Sequence, residues 1–153
     1  MLENVKSSMK KASQGVLAAK QLHGRELSFN NILDADAAWA AVCDFPEQPT
    51  IAIVKHGNPC GLASRPSLRE AFDPALEGDP VSAYGGIVAA NRPLDGPTAE
   101  AISASFYEIV LAPSFEPEAL AVLQKKKNLR LLEMGEATAP GPSIDIRRVR
   151  GGL

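Results

Sequence analysis

No stretch of this chain approaches the roughly 20 consecutive apolar residues that a membrane span needs. The opening residues, among them Glu3, Asn4 and Lys6, also lack the apolar core of a secretory signal. Both absences point to a soluble protein with the cytoplasm as the default compartment. Cysteine is scarce as well: only Cys43 and Cys60 occur, and in that compartment they read as reduced thiols. Charge of one sign is not in excess, since 16 Lys and Arg stand against 18 Asp and Glu for a net charge of -2, which gives no field for nucleic acid. No Walker-type loop, Gly-x-Ser-x-Gly elbow, dinucleotide fingerprint or internal repeat is present. What remains, 45% hydrophobic and 22% charged over 153 residues, has the length and balance of one globular domain with a core of its own.

The densest chemistry lies in Val54-Lys55-His56-Gly57-Asn58-Pro59-Cys60-Gly61. Ahead of it, Thr50 to Val54 is a short, β-branched apolar run bounded by Pro49, too short for a buried helix, and it reads as a buried strand. Lys55 and His56 leave that strand together. On a regular strand they would point to opposite faces, so both line one pocket only if the chain bends, and Gly57, Pro59 and Gly61 supply the means. Two readings stay open on these residues alone. In one, the segment is a βα loop with Lys55 solvated and the glycines only turning the chain. In the other, His56 is a general base and Lys55 a cation that stabilises developing negative charge.

Helical and strand patterns alternate along the rest of the chain. Asp34 is placed to cap a helix over Ala35 to Asp44, with Ala38, Trp39 and Val42 at helical spacing. Ser67 caps a second helix running to Glu77, where Pro74 predicts a kink or break because an interior proline costs about 3 kcal/mol. Strands are expected over 86 to 90, 108 to 111 and 129 to 133. Helices are expected from Pro97 to about Phe106 and from Glu116 to Lys126, the latter closing on Lys125, Lys126 and Lys127 as favourable partners of its negative end. Trp39 and Phe45 read as core. Gly135 to Pro142 reads as a loop, and Ile144 to Arg150 alternates enough for an edge strand. The order predicts an α/β fold with a mostly parallel sheet, helices packed against it and right-handed crossovers.

Lys55-His56-Gly57-Asn58-Pro59-Cys60-Gly61 resembles the signature of the AICAR transformylase domain, the formyltransferase part of the AICAR transformylase/IMP cyclohydrolase family of purine biosynthesis. The resemblance extends in order through Gly24 to Asp34, Asp79 to Ala89, Asn91-Arg92, Glu108 to Pro113 and Lys126 to Leu132. It marks 14–153 as the N-terminal part of such a domain, incomplete at the C-terminus, and 1–13 as a non-matching segment without the family's Arg-Tyr-Gly. It implies a three-layer α/β/α, cytidine-deaminase-like subdomain. The implied reaction is formyl transfer from 10-formyltetrahydrofolate to the 5-amino group of AICAR ribonucleotide. That amine is a poor nucleophile, so its proton must be taken up as the formyl oxygen becomes an oxyanion. By resemblance His56 is the catalytic proton acceptor and Lys55 the transition-state stabiliser.

Three further residues carry over as substrate-binding. Gly85 matches a backbone contact to the nucleotide, with a positive φ or close helix packing as the alternative reason for glycine. Glu108 matches an acidic position at a strand start, with a solvated strand end as its alternative. Asn58 either bonds the carboxamide or fixes the loop backbone through its own turn, and the loop role is preferred. Asn91 and Arg92 could meet phosphate, though Arg in such a loop is more often a surface charge. No metal is expected: a deaminase-type zinc site needs a His or Cys with two further close cysteines and a Glu, and Cys60 has no partner of that spacing. The implied acyl transfer needs no covalent cysteine either, so Cys60 is given a packing role. No tightly bound cofactor is implied, the folate being a co-substrate. The expected partners are the nucleotide, the folate, the missing C-terminal half or a second chain, and a second copy in a homodimer, with no nucleic acid and no membrane. A nucleotide-binding or assembly module without activity of its own is the alternative reading.

Overall fold

The structure, a computed structural model, describes residues 15–138 and 150–151. After a single 3-10 turn over Val16–Ala18, the elements run β1 (Lys20–His23), α1 (Phe29–Cys43), β2 (Thr50–Lys55), β3 (Asn58–Ser64), α2 (Leu68–Glu77), α3 (Pro80–Ala83), β4 (Ile87–Ala90), α4 (Gly96–Ser103), β5 (Ile109–Ala112), α5 (Pro117–Leu123) and β6 (Arg130–Glu133). The strands form one six-stranded sheet in the order β1-β6-β5-β4-β2-β3. Residues 135–138 carry no regular element, in keeping with the expected loop, whereas the edge strand expected over 144 to 150 and the segment 1–13 lie outside the described residues.

Alternation along the strands divides the core. Ile51, Ile53, Val88, Ala90, Val110 and Ala112 face α2, α4 and α5. Their neighbours Ala52, Val54, Ile87, Ala89, Ile109 and Leu111 face α1. Helices thus cover both faces, and the inner strands are buried apart from Lys55 at the end of β2, as continuous apolar runs demand.

The sheet is mixed, which corrects the expectation of a mostly parallel one. β4 pairs parallel with β5, and β5 with β6. The pairings β1 with β6, β2 with β3 and β2 with β4 are antiparallel. The cause is β3, where a catalytic loop was expected. It turns the chain back along β2 before the α2 crossover, so β4 arrives antiparallel to β2. Its pattern, half exposed and containing Pro59 and Gly61, carries little strand signal. β1 was also missed, because Lys20–His23 is polar at an exposed edge.

Helix starts shift where capping differs from the expected residue. α1 begins at Phe29: the Ser28 hydroxyl accepts from the Asn31 amide while Asn31 Oδ1 accepts from the Ser28 amide. The first turn buries little apolar surface, with Phe29 72% exposed, so apolar periodicity begins late and Asp34 looked like the cap. Asp34 instead sits inside the helix. Ser67 caps α2 as expected, and α2 continues past Pro74 to Glu77, so of the expected kink or break the break does not occur. α4 stops at Ser103 and α5 at Leu123. Lys125, Lys126 and Lys127 therefore lie beyond the end of α5 and not in its last turn. Trp39 and Cys43 are buried, but Phe45 is 45% exposed and outside the core.

Asn91 has a structural role in place of the phosphate contact considered for it. Buried just after β4, its Oδ1 accepts from the Thr50 amide at 2.8 Å and its Nδ2 donates to the carbonyls of Phe45 at 2.8 Å and Gln48 at 2.9 Å. Arg92 donates beside it to the Pro46 and Asn91 carbonyls. Asn91→Ala leaves the buried Thr50 amide without its acceptor, and we expect a loss of about 2 kcal/mol in urea unfolding.

Tyr107 is buried against Phe72, and its hydroxyl has no hydrogen-bond partner among the described residues. Burial first, and the neighbouring Cys60 second, push its pKa up to about 12. The unfolded chain ionises this phenol from its ordinary value of 10.0, two units before the folded protein does. Its contribution is therefore intact below pH 10 and is lost as the pH rises toward 12. Tyr107→Phe is expected to raise stability at pH 7 by about 1 kcal/mol and to flatten the alkaline fall, both read from urea melts across that range.

Candidate active site

The signature segment forms a hairpin. Lys55 and Asn58 are the closing pair of β2 and β3, and the turn between them has φ 56° at His56 and φ 73° at Gly57. Positive φ at both central residues is the type I′ arrangement that suits the twist of paired strands. Glycine takes it freely; for an L-residue such as histidine a left-handed backbone costs about 1 to 2 kcal/mol. Among the described residues His56 is the only non-glycine with positive φ. A non-glycine side chain held at such a cost marks this turn as a candidate functional position.

Around this turn, β2, the start of α1, the segment before β4 and the start of β5 converge on a cleft of about 240 Å3 lined by Lys55, His56, Gly85 and Glu108 with Asn31 and Asp34. Four of the five residues singled out from the sequence therefore meet at one place. Lys55 Nζ donates to the Tyr84 carbonyl at 2.7 Å, which ties the cation to the segment carrying Gly85. Gly85 has φ 75°, so positive φ accounts for this glycine; a Cβ there would meet only the Phe106 ring at ordinary contact distance. Its amide is already committed to the Phe106 carbonyl, which leaves the carbonyl as its backbone group for a ligand.

Glu108 is held from two sides. Asn31 Nδ2 donates to Glu108 Oε2 at 2.7 Å, and Arg130 Nη1 lies 3.6 Å from the same oxygen. Asn31 thus closes the cap of α1 with one end of its amide and orients Glu108 with the other. The Asp34 carboxylate accepts from the amides of His56 and Gly57. Neither residue was singled out as functional from the sequence. The only available signal was the Ser28-x-x-Asn31 spacing, which sets the true helix start and releases Asp34 from the cap.

Asn58 is placed elsewhere. Its Nδ2 donates to the His56 carbonyl at 3.0 Å across the turn, the preferred loop role, and it lines a second cleft with Pro59, Cys60, Asp79 and Ser82. Lys55 and His56 border both clefts. There, hydrogen bonds from Ser82 hold the Asp79 carboxyl below its usual range, with a smaller contribution from Lys55. Burial, then Asp79, pushes the Cys60 thiol up, partly offset by Lys55, which favours the unreactive protonated form. Among the described residues no group of three or more His, Cys, Asp or Glu is placed to hold a metal ion, and no helix is long and apolar enough to cross a membrane.

Chemically, the first cleft offers a cation, an imidazole and an anchored carboxylate around open space. It can bind a polar small molecule, move a proton and stabilise negative charge. Fold and cleft together define an α/β protein with a polar cleft, a candidate small-molecule site, where a hairpin turn meets the ends of the central strands. More particularly, the family model described as AICARFT/IMPCHase bienzyme matches residues 4–153, and the chain belongs to that family. It is 52% identical over 145 residues to the bifunctional purine biosynthesis protein PurH of Rhodospirillum rubrum, covering 93% of this chain and 27% of that protein. It is 54% identical over 140 residues to the PurH of Acidithiobacillus ferrooxidans, covering 91% of this chain and 27% of the relative. With the PurH of Acetivibrio thermocellus the identity is 51% over 140 residues, for 90% and 27%. The chain therefore spans about a quarter of the length of these relatives.

Proposed function

We propose that this chain carries the proton-accepting part of a formyl-transfer site, acting on the 5-amino group of AICAR ribonucleotide with 10-formyltetrahydrofolate as co-substrate, in the cytoplasmic synthesis of IMP. The observation that supports it is the convergence of Lys55, His56, Gly85 and Glu108 on one cleft, together with membership of the family. The amine nitrogen attacks the formyl carbon, and His56 takes up its proton. Lys55 faces the formyl oxygen as it becomes an oxyanion. Collapse of that intermediate breaks the bond from the formyl carbon to the folate nitrogen, which leaves with the proton that His56 took from the amine, so the imidazole ends neutral again. Glu108 and the Gly85 carbonyl hold the nucleotide. The reaction needs no metal, no covalent cysteine and no tightly bound cofactor.

The helix-sheet-helix layering fits a cytidine-deaminase-like subdomain, with 14–153 as the N-terminal part of a transformylase domain. Exposed Phe29, Val81, Tyr84 and Phe106 adjoin residues that line the two clefts. They suit a covering surface from the rest of such a domain or from a second copy in a homodimer. A second reading is a nucleotide-binding or assembly module without activity of its own, for which Glu108 and Gly85 in the cleft would serve as ligand contacts only. A folate-linked formyltransferase assay separates the two, using the purified chain alone and mixed with the remaining part of the R. rubrum relative. Transfer only in the mixture is the expected result. Its absence, with the chain folded by circular dichroism and still binding the nucleotide in calorimetry, would sink the catalytic reading and leave the module.

A further inference from the structure

Within the hairpin, the amides of the two turn residues have no partner. Lys55 and Asn58 close the ladder, and the amides of His56 and Gly57 point out of it. Both are met from a different element. The His56 amide donates to Asp34 Oδ2 at 3.2 Å and the Gly57 amide to Asp34 Oδ1 at 2.7 Å. Asp34 sits inside α1, a 15-residue helix whose start is fixed by a capping box and whose buried face packs on the sheet through Ala35, Ala38, Trp39 and Val42. A rigid element therefore presents two acceptors to two donors on successive left-handed residues.

We propose that Asp34 is a positioning residue: by accepting both turn amides it holds His56 in its left-handed backbone and so sets where the imidazole stands in the cleft. The choice of residue follows from the chemistry of the contact. Two amides need an acceptor-only group, and an ionised carboxylate is one. Asparagine offers one acceptor and turns a second donor toward the turn, whereas alanine offers nothing. Without the two bonds, a turn strained at His56 relaxes toward other backbone conformations, and misplacement of a reacting group by about 1 Å can cost on the order of 100-fold in rate. The catalytic consequence rests on the function proposed above; the latch between α1 and the hairpin does not.

The test is amide hydrogen exchange by NMR on the whole chain, as wild type, Asp34→Asn and Asp34→Ala, with kcat and KM measured in the complemented mixture. In Asp34→Ala, exchange at His56 and Gly57 is expected to accelerate at least about ten-fold while core-strand amides stay protected. Turnover should fall about 10- to 100-fold in kcat with little change in nucleotide KM. Asp34→Asn should lie between, a partial rescue that a merely structural residue would not show. If Asp34→Ala does not fold, Asp34→Asn carries both measurements. Unchanged exchange at both amides overturns the latch. Faster exchange with kcat within two-fold of wild type overturns the positioning role. A wild-type mixture without formyl transfer overturns the proposed function instead, and the exchange result then decides the latch by itself.

Discussion

His56→Asn is expected to lower formyl transfer by the complemented chain at least about 100-fold while leaving the fold as stable as before or slightly more so. Two effects separate at this position. The imidazole is the group assigned the amine proton, and general-base terms of this kind contribute about 10²- to 10⁴-fold. The backbone, by contrast, gains from the change, because asparagine tolerates a left-handed conformation and Asn-Gly is the preferred pair for a type I′ turn. With φ 56° at His56 and φ 73° at Gly57, asparagine keeps the hairpin and relieves part of its strain. Steady-state kinetics and thermal melts on one preparation check both halves. A variant that loses activity and stability together would mean that histidine stabilises the turn, and one that keeps activity would remove His56 from the reaction. Lys55→Met in the same assay should cost about 100-fold as well, since its ammonium, tied to the Tyr84 carbonyl, is the cation assigned to the oxyanion.

Gly61→Ala should destabilise the chain by about 3 kcal/mol or more and reduce complemented activity, although Gly61 lies outside the cleft. A Cβ at that position would stand 1.8 Å from the Ala75 carbonyl oxygen and 2.9 Å from its carbon. The obstruction is helix backbone, not the end of a flexible side chain, so β3 or α2 must move bodily. Overpacking that forces backbone shifts costs about 1 to 3 kcal/mol and sometimes more. The register of the hairpin slips just here, with Ile53 opposite Gly61 and Val54 opposite Pro59, which leaves Cys60 as the extra residue of a bulge. Pushing β3 off α2 therefore disturbs the hairpin whose turn carries His56. Urea unfolding measures the first effect. A loss below about 1 kcal/mol would mean that the two elements separate easily and that the close approach does not hold the hairpin.

How much of this was legible differs from residue to residue. Lys55 and His56 stood out because a base and a cation follow an apolar strand within a glycine-rich segment, and Gly85 and Glu108 followed from resemblance. The helices over most of α1, α2, α4 and α5 and the strands β2, β4, β5 and β6 were visible in apolar periodicity, since each buries a stripe or a run of its own residues. β1 was hidden because its burial is slight. β3 was hidden because Pro59, Gly61 and a half-exposed pattern mimic a loop. Asp34 was read as a helix cap and Asn31 was given no role of its own, and their partners could not be seen locally: Asn31 meets Glu108 77 positions away, and Asp34 reaches the turn 22 and 23 positions away.

By itself, then, the sequence determined which segments are buried, where most helices and strands lie and which side chains can carry the chemistry, because burial and local propensity are written in neighbouring residues. The tertiary structure alone decided the direction of β4 against β2, the hairpin that bends Lys55 and His56 toward one cleft, and the bonds from Asp34 and Asn31 that hold the turn and Glu108. Those features depend on chain reversal and on pairs of groups far apart in sequence, whose meeting is set by packing both faces of the sheet at once.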